Sequence, residues 1–282
     1  MEFKGLKALC ETPVSDLIEE KTYVYQNNGA DVLFVAHLDT VFDKHPSAHF
    51  YLENDNFIFS PMLDDRAGLY TILYHLPTYY PKIKFDYLLT TDEEIGMSTA
   101  KDFNRDMLNG KIPYKEYNWC AGFDRAGSGC VLYDYKEQKE WKDSVEKCFK
   151  TSFGSFSDIS YLTDLGCCAL NVGIGYESAH QLNCYTVKRT YVKQMARFEN
   201  FYNHYKNRLF EYDAFTHAKP NVYKYDRNNL WNYADEVYEE KTGKESIKNY
   251  NTEKYLDTTE NNKYGPKFYD YDLGKYVTYN EY

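Results

Sequence analysis

The sequence predicts an α/β fold: a three-layer sandwich with a largely parallel, mixed sheet covered by helices on both faces. Three observations predict it. Short apolar runs ending in polar punctuation alternate with segments of helical period. Polar landmarks along the chain recur at separations close to one strand-helix-strand unit. A hydrophobic content of 43% over 282 residues suffices for one sizeable core. Such alternation buries a parallel sheet between helices, and sheets of this kind hold ligands beyond the carboxyl ends of their strands.

Taken in order, strands are expected at residues 32–36, 57–59, 87–91, 119–123 and 168–174, each an apolar run closed by histidine, serine, aspartate or glycine. Helices are expected at about 67–75, 98–108, 140–149 and 158–165. A final helix is the clearest periodic segment, because Val187, Tyr191, Met195, Phe198, Tyr202, Tyr205 and Leu209 recur at steps of three and four. After Pro220 aliphatic residues become sparse, charge rises, and twelve of the 31 tyrosines fall between Tyr223 and Tyr282. That stretch has too little aliphatic content for a core of its own. The expected division is therefore a domain over residues 1–215 and a tyrosine-rich extension over 216–282. The extension either wraps the domain, with tyrosines as apolar anchors, or serves as a flexible arm for a partner.

A net charge of −10 without a basic stripe argues against nucleic acid and anionic membranes as partners. Seven cysteines, with no Cys-x-x-Cys pair, fit a reduced cytoplasm better than secretion. The first residues lack a signal-peptide stretch, and no apolar run is long enough to span a bilayer. The expected setting is cytoplasmic.

Six metal-seeking positions form an ordered series: His37 in His-Leu-Asp, Asp64 in Leu-Asp-Asp-Arg-Ala-Gly, the pair Glu93 and Glu94, Asp124 in Gly-Phe-Asp-Arg, and His180. Taken singly, each has a plainer reading. His37 with Asp39 fits a capped strand end, although a ligating histidine also needs a carboxylate for its second ring proton. Asp64 fits a helix cap, yet a carboxylate there can also bridge two cations. Glu93 and Glu94 fit an acidic turn, but two carboxylates closing a buried strand are costly unless a cation offsets them. In extended chain one of the pair can ligate metal while its neighbour faces the attacking water. Asp124 fits an Asx turn and His180 a loop histidine. The separations give the series its weight: 27 residues from His37 to Asp64, 29 to Glu93, 30 from Glu94 to Asp124, and 56 to His180.

On these stretches, together with Ser157-Asp158, the chain resembles the co-catalytic zinc exopeptidase superfamily, which includes aminoacylase- and desuccinylase-like hydrolases, bacterial leucine aminopeptidases and glutamyl aminopeptidases. The resemblance runs from about Lys7 to Leu209. It implies that Asp64 bridges two metals, that His37 and Asp124 complete one site, and that Glu94 and His180 complete the other. It further implies Glu93 as the acid/base, Asp39 as the orienter of His37, and a cis peptide between Asp64 and Asp65. Two zinc ions are implied, with cobalt or manganese as substitutes.

The 56-residue gap is too short for the lid domain of some relatives, and the 27-residue gap too short for the extra domain of others. The reading is a bare catalytic core. No counterpart of a lid histidine that stabilises the oxyanion is evident, and Tyr176 is the candidate in its place. Asn183 stands where relatives often carry glutamate.

The function these observations imply is hydrolysis of a terminal amide bond of a short peptide, with aminopeptidase action ahead. A carboxypeptidase or N-acyl amino acid deacylase is the alternative, since Arg66, Arg125, Lys188 and Arg189 offer cations for a substrate carboxylate. A non-catalytic metal-binding interaction protein is the second alternative.

Overall fold

The computed structural model describes residues 3–18, 22–213, 267–270 and 275–278. In chain order the strands are β1 (Val24–Gln26), β2 (Val32–His37), β3 (Leu52–Glu53), β4 (Phe57–Phe59), β5 (Asp86–Thr90), β6 (Trp119–Arg125), β7 (Cys130–Val131), β8 (Thr151–Ser152), β9 (Ala169–Gly173), β10 (Tyr176–Glu177) and β11 (Tyr185–Val187). The helices are α1 (Lys4–Glu11), α2 (Leu63–Tyr70), α3 (Leu76–Tyr79), α4 (Ala100–Leu108), α5 (Lys139–Val145) and α6 (Lys188–Tyr205).

The main sheet has seven strands in the order β1-β5-β2-β6-β9-β7-β8. Its centre is parallel, with β5, β2, β6 and β9 all running the same way, and antiparallel pairings of β1 with β5 and β7 with β9 make it mixed. The central strands are buried on both faces, so they read as continuous apolar runs rather than alternating ones. A smaller antiparallel sheet, β10-β11-β4-β3, lies alongside.

The core is aromatic. The Phe34 ring stacks on Phe85 at 4.6 Å and meets Phe123 and Phe198 edge-on at 5.3 Å each. Through Phe198 and Phe201, α6 covers the face that carries Phe34, Trp119 and Phe123. A Cβ at Gly122, on the alternate face, would sit 3.6 Å from Ile159, so the chain at 158–161 covers the other side.

Several expectations change. Residues 57–59 form a strand of the smaller sheet, paired with β11 and β3, so the interval from His37 to Asp64 is not a strand-helix-strand repeat of the main sheet. The helix expected at 158–165 is two 3₁₀ turns, Asp158–Tyr161 and Thr163–Leu165. The buried residues Ile159, Leu162 and Leu165 recur every third position, which matches a 3₁₀ period better than 3.6. The helix expected at 140–149 stops at Val145, where Cys148 and Phe149 both bond back to the Val145 carbonyl in a turn. Beyond α2 the helical path runs on through a π turn, Thr71–His75, into α3. The last helix ends at Tyr205 and leaves Leu209 47% exposed, because the chain turns to lay Phe210 and Tyr212 against the start of β6 and the approach to β9.

Among the described residues no helix is long and apolar enough to cross a membrane, and the seven cysteines are free. Residues Lys267–Asp270 and Lys275–Thr278 pair as two antiparallel strands. The expected wrapping of the domain by the tyrosine-rich extension lies outside the described residues.

Because Phe34 is fully buried among four other aromatic rings, Phe34→Ala is expected to lower stability by about 3–5 kcal/mol. Urea denaturation measures this; a loss well under 1 kcal/mol would contradict the central role given to that ring.

Candidate metal centre

Parallel pairing of β5, β2, β6 and β9 places their carboxyl ends on one rim. His37 is the last residue of β2, Glu93 and Glu94 follow β5, and Asp124 lies near the end of β6. Asp64 comes from the start of α2, where Asp64 and Asp65 have non-helical dihedrals and the peptide between them is cis. His180 arrives from the loop between β10 and β11 with a φ of 60°, in the left-handed region. Four elements of the main layer and one loop of the smaller sheet thus supply the cluster.

Asp64 is its centre. Its Oδ1 lies 3.3 Å from His37 Nε2, and its Oδ2 lies 3.1 Å from His180 Nε2. Around the first histidine, Asp124 Oδ1 stands 3.5 Å and Glu93 Oε2 3.9 Å from Nε2. Around the second, Glu94 Oε2 stands 3.0 Å from His180 Nε2. Ligand atoms of His37, Asp64 and Asp124 lie within 4.8 Å of one another, as do those of Asp64, Glu94 and His180. The two groups share Asp64.

The polarity of these contacts fits cations. His37 Nδ1 is 2.9 Å from the Asp39 main-chain carbonyl, which has no proton to give, so Nδ1 carries the N–H and donates it. In the neutral ring Nε2 is then a lone pair facing carboxylate oxygens, and it is buried without a hydrogen-bond partner among the described residues. Glu94 Oε1 is likewise buried and unpartnered. Acceptors converging on acceptors are held together only by protons or by metal ions between them.

Protons are drawn in accordingly. Burial works against a charged His37 ring, but Asp124, Asp39 and Asp64 outweigh it and raise its pKa well above the usual range. Hydrogen bonds to Asp64 and Glu94 lift His180 to about 10. Burial, then the charge of Asp64, raises Asp124 to about 7. Burial, then Asp124, raises Glu93 to about 10. Burial also works against the Asp64 carboxylate, yet the two histidines hold it far below the usual range.

Supporting residues fix these positions. Asp39 was expected to orient His37 by its carboxylate; the close contact is instead its carbonyl, with Oδ1 at 3.5 Å. Its Oδ2 accepts the Glu94 main-chain N–H at 3.1 Å, tying the β5 loop to the β2 loop. Asp65 is a brace that no sequence signal marks: its oxygens accept the main-chain N–H groups of His37 at 3.2 Å and Gly68 at 2.9 Å. Asn171 on β9 clamps the Asp124 backbone, accepting from its N–H at 3.0 Å and donating to its carbonyl at 3.1 Å. Buried Asp158 accepts from Thr90 at 2.9 Å and from Ser98.

Tyr176 does not occupy the position expected of an oxyanion donor. It is buried, and its hydroxyl donates to Asp124 Oδ1 at 3.2 Å, so it holds a carboxylate rather than facing a substrate. Two of the cations proposed for a substrate carboxylate are committed elsewhere. Arg66 is buried and donates to the carbonyls of Leu38 and Thr12, and Lys188 pairs with Glu53.

No family model and no curated protein matches the sequence. Among solved structures the chain is similar to an aminopeptidase from the archaeon Desulfurococcus kamchatkensis, at a TM-score of 0.48 and 12% identity over 73% of this chain and 95% of that one. It is also similar to the aminopeptidase PepT from Bacillus cereus, at 0.43 and 12% over 70% and 90%. A tripeptidase from Staphylococcus aureus gives 0.45 and 11% over 64% and 82%.

A Cβ at Gly68 would fall 2.2 Å from Asp65 Oδ1. Gly68→Ala should therefore displace the brace under His37, lowering stability by about 1–3 kcal/mol and weakening the uptake of added zinc by the cluster. Thermal melts and zinc titration check both, and a variant equal to the parent in each would remove Asp65 from this role. A metal ion entering the cluster would have to displace the protons held by His180 and Asp124. Zinc affinity should thus fall with pH, by roughly tenfold per unit below neutrality for each proton displaced; a flat profile would contradict it.

Proposed function

We propose that the protein is a two-metal hydrolase, with zinc the favoured ion, that cleaves the terminal amide bond of a short peptide. The observation that carries this reading is Asp64, whose two oxygens face two histidines that each belong to a separate cluster of ligand atoms. In this reading His37 and Asp124 hold one ion, Glu94 and His180 hold the other, and Asp64 is shared. Mixed imidazole and carboxylate donors suit zinc, with cobalt or manganese as substitutes. A bound pair of zinc ions would polarise the scissile carbonyl and bring the pKa of a water molecule near neutrality.

Glu93 is the residue left for proton transfer. It lies within the cluster, 3.9 Å from His37 Nε2, and belongs to neither group of ligand atoms. Its carboxylate takes the proton from the attacking water and passes it to the leaving amine. Burial, then Asp124, raises its pKa in the metal-free cluster, and neighbouring cations would bring it down towards neutrality, where a general base works best. Asp39 holds His37 in the tautomer that leaves Nε2 free. The rim is dominated by carboxylates, which favours a substrate that presents a free amine. Aminopeptidase action is accordingly preferred over carboxypeptidase or N-acyl amino acid deacylase action.

Zinc-loaded protein assayed on aminoacyl anilides, short peptides and N-acyl amino acids tests the activity. Glu93→Gln is expected to keep its zinc and lose kcat by about 10²–10⁴-fold. Metal analysis alongside steady-state rates separates the outcomes, and an unchanged rate would take Glu93 out of the mechanism.

A further inference from the structure

A cavity of about 320 Å³ opens among the turn at Tyr133–Glu137, α5 and residues 151–154, with Tyr133, Lys136, Lys142, Ser152, Phe153 and Gly154 in its wall. Two hydrogen-bonded paths link its wall to the backbone around Asp124. The Tyr133 hydroxyl accepts from Asn171 Nδ2 at 3.1 Å, and Asn171 clamps the Asp124 backbone. The Phe153 carbonyl accepts from Arg125, the residue after Asp124, at 3.3 Å. Tyr133 thus lines the cavity and is joined through Asn171 to the backbone of Asp124.

The lining points to an anion. In a chain of net charge −10, the charged residues in this wall are two lysines. Lys142 meets Glu146 only at 3.9 Å, the outer limit of an ion pair. Lys136 is exposed and takes part in no hydrogen bond or ion pair among the described residues. The hydroxyls of Thr151 and Ser152 are turned to Glu146 and to the Cys130 carbonyl, which leaves the lysines as the groups that meet an anion. At the mouth Phe153 is 81% exposed, leaving an aromatic face for the stem of a ligand. A Cβ at Gly154 would meet Val131 at 2.8 Å and Tyr133 at 3.1 Å, so the wall closes here only around glycine.

We propose that this cavity is a subsite for a free carboxylate of the substrate, with Lys136 as its main cation and Lys142 as its second, while the scissile amide lies at the acidic cluster. The inference rests on the hydrolase reading and names its substrate class: short peptides that carry an anionic group beyond the bond to be cleaved. The carboxylate comes either from the peptide C-terminus or from an acidic side chain. In both cases Lys136 selects by charge and touches no reacting atom.

The test compares trialanine with trialanine amide, and an amidated tripeptide carrying glutamate with its glutamine counterpart, on zinc-loaded protein. Lys136→Ala should raise KM for the carboxylate peptides by about tenfold, so that their advantage over the neutral partners collapses. Lys136→Arg should restore most of it. An effect confined to trialanine assigns the C-terminus as the source, and one confined to the glutamate peptide assigns the side chain. Equal use of acid and amide by the parent protein, or equal loss of both in Lys136→Ala, overturns the subsite while the hydrolase reading stands. Calorimetric titration of the same peptides into zinc-loaded Glu93→Gln protein reads binding without turnover. If the parent protein cleaves none of the peptides yet carboxylate binding still depends on Lys136, the subsite stands and the hydrolase reading falls; no such dependence overturns both.

Discussion

A shared carboxylate between two histidines is the constraint on which the rest of the site depends. Asp64 sits at 3.3 Å from one imidazole and 3.1 Å from the other, and every other group in the cluster is placed relative to it. Bringing this many acids to one partly buried rim opposes folding unless positive charge is supplied. The fold supplies little of it: Arg66 is turned towards main-chain carbonyls, and the nearest opposing charges are protons drawn onto His37 and His180. A site that holds itself together by protons when empty is one that metal ions can enter by displacing them.

The scaffold explains why these residues meet. Parallel β5, β2 and β6 deliver Glu93, Glu94, His37 and Asp124 to the same edge of the sheet, and the rim is braced from below. Asp65 holds the His37 and Gly68 amides, Asn171 holds the Asp124 backbone, and Asp39 ties the loop after β2 to the Glu94 amide. Tyr176 adds a hydroxyl to Asp124 from the smaller sheet. Except for the Tyr176 hydroxyl, which meets the Asp124 side chain, these braces fix backbone positions, so the geometry of the cluster is set largely by main-chain anchoring.

Much of this was legible in the sequence, and the limits are physical. The parallel strands announce themselves because burial on both faces leaves uninterrupted apolar runs, as at Val32 to Ala36. His37, Glu93, Glu94 and Asp124 were legible as a group because residues closing such runs share a rim, whereas Asp64 and His180 reach it from α2 and from the loop between β10 and β11. The smaller sheet was not, since β3 and β10 are two residues long and too short for any periodicity. Residues 57–59 carry a strand signal that says nothing about which sheet they join. Residues 158–165 look helical because Ile159, Leu162 and Leu165 fit a helical face, and only their strict step of three distinguishes the 3₁₀ path. Asp65, Asn171 and Tyr176 were missed as braces because their partners lie 28, 47 and 52 residues away, a pairing that only the tertiary fold defines.

Diffraction from crystals grown with zinc, recorded on either side of the zinc absorption edge, tests the central claim most directly. The account predicts two anomalous peaks flanking the Asp64 carboxylate, one beside His37 and Asp124 and the other beside Glu94 and His180. An ordered Asp64 with no anomalous peak at either oxygen would contradict it.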